Sequence, residues 1–232
     1  MKKIFAVVLQ LMVTLLLLAG LALSSSPDSS LMGYWKFDEN SGVSAADSSG
    51  NGRNGMLHNG PVWTTGKVNH SLSFDGNNDL VEVQDFNPPV NLSLEAWIFP
   101  GNNTGNDSII LSKNNNEYDF RINTDGYLAA TVGDVPLKHK AFNFYSSGNI
   151  DKWYHVVYTF DNSNDVHKLY INGTLVEVSN NTADITNTNT NLWIGRHSQF
   201  NFGTFLGKID EVRIYNSTLS ASEVFNRYNS TV

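Results

Sequence analysis

One segment near the end of the chain combines residue types that hold sugars in proteins. Residues 196–203 are Arg-His-Ser-Gln-Phe-Asn-Phe-Gly, in which Arg196 and His197 can form hydrogen bonds and Phe200 and Phe202 can serve as aromatic platforms. Sugars present hydroxyl groups around apolar C–H faces, so their sites pair aromatic rings with amide, carboxylate or guanidinium groups. The segment is therefore predicted to bind carbohydrate. In the alternative interpretation, the two Phe rings fold back and cover a sheet edge.

A second, weaker candidate for a sugar site lies on a predicted hairpin. Its polar side chains are three consecutive asparagines at residues 114–116, followed by Arg121 and Tyr127. Its combination of an aromatic ring with amide and guanidinium groups is similar to that of the first candidate.

A carboxylate also lies inside an apolar strand pattern. Residue types alternate from Ile209 to Tyr215 and predict a strand with Asp210, Val212 and Ile214 on one face. Turning a carboxylate toward apolar neighbours is costly unless hydrogen bonds, an opposite charge or a cation compensate. The strand is therefore predicted to hold either a fixed hydrogen-bond network or a metal ion.

The elements that must position these side chains are strands, since short alternating stretches are separated by turn dipeptides such as Asp75-Gly76. Predicted strands cover residues 32–38, 71–75, 79–83, 93–100, 108–113, 117–123, 127–132, 154–161, 166–172, 191–196 and 205–215. Ser220 and Glu223 have the capping-box spacing, which predicts a helix over residues 221–228. The fold class is therefore predicted to be all-β, a two-sheet antiparallel sandwich with a short C-terminal helix.

Five further sets of segments follow one another along the chain. They are Gly-Tyr-Trp-Lys-Phe-Asp-Glu (33–39) with 47–51, Leu-Ser-Phe-Asp-Gly (72–76) with 79–81, Ser-Leu-Glu-Ala-Trp-Ile (93–98), 153–158 with 168–173, and Asn-Leu-Trp-Ile-Gly (191–195). Together with residues 207–224 they resemble the laminin-G-like domains, relatives of the concanavalin A-like lectins and glucanases. This resemblance implies that the two-sheet antiparallel sandwich is a jelly-roll sandwich. The resemblance covers about residues 31–228 and is specific for the fold. It does not decide the function, because this fold hosts lectins, adhesion modules and hydrolases.

The resemblance implies a structural calcium ion between the first and last strands, held by an acidic side chain and carbonyl groups. Asp210 matches the acidic position of the last strand, Asp38 closes the first strand, and Asp75 is a further candidate ligand. Turns that could reach the same region also hold Asp47, Asn51 and Asp79. In the alternative interpretation, these side chains only cap turns by hydrogen bonds to the backbone.

The family's glucanases carry Glu-x-Asp-x-Glu on one strand, which places their catalytic carboxylates on one face. This chain has no such triplet: Glu95 is a lone carboxylate, and Glu117-Tyr118-Asp119 has Arg121 in the third place. These acidic residues are interpreted as ordinary sheet-face residues, and His155 as a packed or hydrogen-bonded strand residue. No residue is assigned a catalytic role.

Composition limits the possible partners. The net charge is −7, and no cluster of basic residues exists beyond Lys138 and Lys140. Because binding to phosphates needs a basic patch, a nucleic-acid partner is not expected. The chain has no cysteine, so disulfides do not restrain its loops, and bound calcium is a natural substitute.

The N-terminal residues have the pattern of a targeting segment. Lys2 and Lys3 precede an almost unbroken apolar run over residues 4–23. Residues 1–24 are therefore predicted to be a signal peptide or, alternatively, an uncleaved membrane anchor, which would be the only membrane contact. A linker at residues 25–30 and one domain over residues 31–232 follow. The predicted location is outside the cell or on its surface.

The function predicted from the sequence is that of a non-catalytic module that binds a glycan or glycoprotein. Two alternatives stay open. One is a glycoside hydrolase with a displaced catalytic pair, and the other is a structural domain that adheres to proteins. Loss of binding after the partner is deglycosylated would distinguish sugar recognition from protein adhesion.

Overall fold

The computed structural model describes residues 28–86, 90–114, 117–199 and 203–231, apart from the side chains of residues 139–141. The predicted signal peptide or anchor at residues 1–24 lies outside the described residues. Within the described part the strands are β1 (Leu31–Trp35), β2 (Ser44–Ala45), β3 (Gly55–His58), β4 (Val62–Thr65), β5 (His70–Asp75), β6 (Leu80–Val83), β7 (Leu92–Pro100), β8 (Ser108–Lys113), β9 (Tyr118–Ile122), β10 (Tyr127–Val132), β11 (Val135–Asn143), β12 (Tyr154–Asp161), β13 (Val166–Ile171), β14 (Thr174–Asn180), β15 (Leu192–Ile194) and β16 (Leu206–Tyr215), and the helix is α1 (Ala221–Asn229).

The strands form two antiparallel sheets that share one apolar core. The first sheet has the order β14-β13-β12-β7-β16-β5-β4, with β1 also paired to β16, and the second has the order β11-β10-β9-β8-β15-β6-β3-β2. Every other side chain points inward, so residues such as Leu94, Tyr158, Phe120 and Ile194 meet between the sheets. The predicted two-sheet all-β sandwich is confirmed.

Helix α1 covers part of the outer face of the first sheet. It begins with the predicted capping box, in which the Glu223 amide donates to Ser220 Oγ and the Ser220 amide donates to Glu223 Oε2. Val224 then packs into a second apolar cluster with Val157, Tyr170 and Tyr215. Among the described residues, no helix has the length and apolar character needed to cross a membrane.

The last strand, β16, contains a bulge that the alternation of residue types did not reveal. Glu211 has a φ of 54°, and the pairing with β7 shifts between Asp210 and Arg213. Such a bulge adds a residue and restarts the alternation. Val212 and Ile214 therefore point into the core, whereas Asp210 lies opposite Trp97 on the outer face. The prediction that Asp210 shares a face with Val212 and Ile214 is wrong.

Candidate functional site

The outer face of the second sheet carries a row of polar side chains around one tryptophan. Strand pairing aligns Glu82 with Trp193, Trp193 with Ser112, Ser112 with Asp119, and Asp119 with Thr131. The row therefore crosses five neighbouring strands on the side away from the core. We call this surface the Trp193 face, and its members are Glu82, Ser112, Asp119, Arg121, Thr131 and Trp193.

Hydrogen bonds to Glu82 fix the position of the Trp193 ring. Trp193 Nε1 donates to Glu82 Oε1 at 3.2 Å, and Asn191 Nδ2 donates to the same oxygen at 3.0 Å. The other carboxylate oxygen lies 3.2 Å from His58 Nε2. The bond from Asn191, followed by the bond from Trp193, lowers the pKa of Glu82. The ring is therefore oriented by an ionised carboxylate before any ligand arrives.

A cavity of about 260 Å³ lies beside the Trp193 ring. Its walls are formed by His58, Asn59, Leu80, Glu82, Trp193 and Arg196. The Arg196 guanidinium carbon is 5.9 Å from the centroid of the Trp193 ring. The cavity combines an aromatic ring and an aliphatic side chain with several hydrogen-bonding groups, which is the chemistry that sugar sites use.

At the other side of the row, Arg121 is held between two carboxylates. Its Nη1 donates to Asp119 Oδ1 and, at 2.9 Å, to Thr131 Oγ1. Its Nε is 3.4 Å from Asp107 Oδ2. The positive charge of Arg121 is therefore matched by the negative charges of Asp107 and Asp119.

The first residues of the segment predicted to bind carbohydrate, residues 196–199, lie beside this same surface. Arg196 lines the cavity, and Ser198 Oγ is 3.3 Å from Ser112 Oγ. His197 is only 7% exposed, its Nδ1 accepts a bond from the Gln199 amide, and burial lowers its pKa. Phe200 and Phe202 lie outside the described residues, so their role stays a prediction.

Of the second candidate site, Arg121 and Tyr127 lie on the outer face of the second sheet. Tyr127 is six residues from Arg121, across the turn that joins β9 to β10, and the Lys138 ammonium is 5.4 Å from the centroid of its ring. The Asn114 amide donates to Ser198 Oγ at 2.7 Å, and residues 115 and 116 lie outside the described part.

Trp193 and Glu82, which lie in the row of the Trp193 face, were not predicted as site residues from the sequence. Trp193 was noted only as part of a family segment, although its position between Leu192 and Ile194 indicated a face opposite to that of two apolar residues. Glu82 is 111 residues away from Trp193 in sequence, and only strand pairing brings the two together.

The spacing of the carboxylates in the row bears on catalysis. Glu82 and Asp119 are three strand spacings apart, which is about 14 Å between Cα atoms. Glycoside hydrolases place their two carboxyl groups about 5 to 9.5 Å apart. The Cα atoms of Glu82 and Asp119 are therefore farther apart than the two carboxyl groups of such a pair.

The predicted calcium ligands Asp38 and Asp210 hold the same turn. Asp210 Oδ2 accepts bonds from the amides of Lys67 (2.8 Å) and Val68 (3.0 Å), and Asp38 accepts from the amide of His70 (3.2 Å) and from Asn69 Nδ2 (3.2 Å). The two acidic residues thus clamp the connection between β4 and β5. These bonds form a hydrogen-bond network, which is one of the two alternatives that the sequence predicted for the strand of Asp210.

One carboxylate oxygen of Asp210, Oδ1, is available as a metal ligand. Asp210 is fully buried, and its Oδ1 has no hydrogen-bond partner among the described residues. Burial raises the pKa of Asp210 to about 8, and the charge of Glu211 adds to the rise. The described part of the chain contains no group of three His, Cys, Asp or Glu side chains suited to a metal, so a calcium ion here would take its other ligands from carbonyls, amides or water.

Asp75 is separate from this turn. It pairs with Leu206, four residues before Asp210 on β16, which is about 13 Å along the strand. Its Oδ1 accepts a bond from the Asn77 amide, so it caps the turn between β5 and β6. A calcium ion at Asp75 would need its own set of ligands.

The lone carboxylate Glu95 is not an ordinary sheet-face residue, because the structure places it in a buried charge network. Its Oε1 accepts bonds from His155 Nε2 (3.0 Å) and Arg213 Nη1 (3.1 Å), and its Oε2 accepts from Tyr215 (3.1 Å). Burial alone would raise the pKa of Glu95, but the bond from His155 and the charge of Arg213 lower it to about 2. The interpretation of His155 as a hydrogen-bonded strand residue is confirmed.

Comparisons with known proteins point to one superfamily. The family model Laminin_G_3, described as the concanavalin A-like lectin/glucanases superfamily, matches residues 74–225. Among curated protein sequences, none matches the chain significantly.

Several solved structures share the fold. They include the binding domain of Paraclostridial Mosquitocidal Protein 1 (20% identity, 88% of this chain and 53% of that chain, TM-score 0.71), Domain 4 of AbnA, a GH43 extracellular arabinanase from Geobacillus stearothermophilus, in complex with arabinotriose (21%, 85% and 97%, 0.67), and the botulinum neurotoxin serotype D binding domain (19%, 87% and 52%, 0.68). The chain spans about half the length of the two toxin binding domains. At these identities the likeness shows the fold alone.

Proposed function

Because the chain belongs to the Laminin_G_3 family of the concanavalin A-like lectin/glucanase superfamily, we propose that it is an exported, non-catalytic module that binds carbohydrate through the Trp193 face. The observation that carries this proposal is the Trp193 ring, which Glu82 holds beside the cavity that Arg196 lines. The partner is a glycan or glycoprotein, met outside the cell or at its surface.

The geometry offers each part of a sugar a suitable contact. The apolar face of a sugar ring can stack on Trp193, while its hydroxyl groups donate to Glu82 and accept from Arg196. The fold's relatives support a binding role, since one solved domain holds arabinotriose and two others are named as binding domains.

We expect Trp193→Ala to weaken glycan binding at least tenfold, because it removes the ring on which the sugar stacks. The purified protein is first applied to a glycan array and to insoluble polysaccharides, and the affinity for the retained sugar is then measured. The matched control is Trp153→Ala, since Trp153 lies just before β12 of the first sheet and packs against Phe99.

Three results would contradict this function. Equal affinity of the Trp193→Ala and Trp153→Ala proteins for the sugar would show that the Trp193 face does not bind it. No retention of any sugar, together with capture of a partner protein that survives deglycosylation, would favour protein adhesion instead. Release of free sugars from a retained polysaccharide would favour the hydrolase alternative.

Calcium is proposed as a structural ion at Asp210, with Asp38 close to the same turn. Saturating calcium should raise the melting temperature by several degrees, because a ligand at 100 times its Kd adds about 2.7 kcal/mol to the free energy of unfolding. The gain should vanish with excess chelator and in Asp210→Asn, and it should persist in Asp134→Asn, which alters an exposed carboxylate on another turn. An unchanged melting temperature with calcium would refute the site.

A further inference from the structure

The Trp193 face and its border carry more carboxylates than guanidinium groups. Three carboxylates belong to it or border it: Glu82, Asp107 and Asp119, whose side chains are 27%, 26% and 5% exposed. Two guanidinium groups lie among them. Arg196 lines the cavity together with Glu82. Arg121 donates to Asp119 and Thr131 and forms an ion pair with Asp107. Its guanidinium group is therefore already occupied by two carboxylates.

We propose that the Trp193 face selects neutral sugars and rejects sugars that carry carboxylate or sulfate groups. This inference rests on the proposed function and names its ligand class. A site that recognises an acidic sugar presents a guanidinium fork to the ligand's anion. Here Nη1 of Arg121 lies against Asp119 and Nε lies against Asp107, so an acidic sugar would have to compete with both carboxylates.

Electrostatics adds to this selection. An anionic sugar placed on the row would approach the carboxylates of Glu82 and Asp119, and like charges that lose water repel strongly. A neutral sugar is attracted to the same carboxylates, because its hydroxyl groups can donate hydrogen bonds to carboxylate oxygens. The overall charge of −7 acts in the same direction at long range.

The test compares two probes that carry substituents of similar size and differ in charge. One is the hydroxyethyl ether of the neutral polysaccharide that the protein retains, and the other is the carboxymethyl ether of the same polysaccharide. The wild-type protein should bind the carboxymethylated probe at least tenfold more weakly. Equal or tighter binding of the acidic probe would overturn the inference, whereas failure to bind either probe would overturn the proposed function instead.

A variant should shift the ratio of the two affinities. In Asp107→Asn/Asp119→Asn the charge of Arg121 is no longer matched, so the acidic-to-neutral affinity ratio should rise at least tenfold. Asp134→Asn is the control and should leave the ratio unchanged. An unchanged ratio in a folded double variant would refute the role given to Arg121 and its two carboxylates.

The salt dependence of the wild-type protein gives a second measurement that does not depend on a folded variant. Raising the ionic strength from about 0.01 M to about 1 M shortens the Debye length from about 30 Å to about 3 Å. If the face repels anions, screening should raise the acidic-to-neutral ratio. A ratio that falls with salt would show attraction and refute the selection.

Discussion

In calcium-free buffer, the free energy of unfolding is expected to fall by about 5 kcal/mol as the pH rises from about 4 to about 8 because of one residue, Asp210. This carboxyl group is fully buried, and its pKa is raised to about 8, chiefly by burial and further by the charge of Glu211. An unfolded aspartate has a pKa of about 3.9. Between these values the folded protein keeps a proton that the unfolded chain has released, so stability is lost as the pH rises.

The substitution Asp210→Asn should remove this loss. Asparagine keeps a carbonyl oxygen for the amides of Lys67 and Val68 but has no charge to bury. Chemical denaturation at several pH values should therefore show the variant to be more stable than the wild type at pH 8. Near pH 4 the difference should disappear.

The difference between the two proteins isolates Asp210 from other titrating groups. The pKa values of His167 and His197 are lowered by burial, so these residues make stability rise with pH up to about 6.5 in both proteins. Glu95, with its pKa lowered to about 2, contributes stability that is lost only as the pH falls below about 4. A wild-type curve parallel to that of Asp210→Asn would show that Asp210 does not titrate as proposed.

The buried position of Asp210 also shows where sequence patterns fail. The strand, its neighbours and the following helix were predicted because alternation and the capping box are local signals. The bulge at Glu211 was not predicted, because a non-glycine residue at positive φ leaves no trace in an alternating sequence. One inserted residue was enough to move Asp210 to the opposite face.

Most of the strands that the sequence did not predict are edge strands. They are β2, β3, β4, β11 and β14, of which all but β3 lie at the edge of a sheet. A strand with one neighbour and little burial needs no strong apolar alternation, and β11 even contains Pro136. The central strands were predicted because burial on one face constrains their residue types.

The candidate site was predictable only in part for a similar reason. Arg196 and His197 were found because they are adjacent in sequence, within a loop of unusual composition. The pair of Glu82 and Trp193 depends on which strands are neighbours, and this order is a property of the whole sandwich. No local pattern states that β6 lies beside β15.

Replacing Lys113 by methionine is expected to cost about 3 to 5 kcal/mol of stability, because it removes one partner from a buried charge cluster. Lys113 is fully buried, and its Nζ lies 2.9 Å from Glu117 Oε1, 2.8 Å from Asp85 Oδ1 and 2.8 Å from the carbonyl oxygen of Phe86. Glu117 is fully buried as well, so its charge would lose its partner and could not reach water.

The loss of stability in Lys113→Met would extend beyond the hairpin of β8 and β9. Glu117 Oε2 also accepts a bond from Thr188 at 2.8 Å, in the connection between β14 and β15. Lys113 and Glu117 thus tie two long connections, after β6 and before β15, to one hairpin. Because β6 and β15 supply Glu82 and Trp193, loosening these connections should also weaken sugar binding.

A double-substitution cycle distinguishes an unpaired charge from a mere loss of packing. Lys113→Met should lower the melting temperature by about 10 °C, and Lys152→Met, at an exposed lysine, should leave it unchanged. Adding Glu117→Leu to Lys113→Met removes the stranded charge and should restore much of the stability, since apolar replacements of buried ion pairs are often tolerated. If the double variant is as unstable as the sum of the two single variants, the cost lies in packing, and the ion pair has no specific role in holding the connections that flank the Trp193 face.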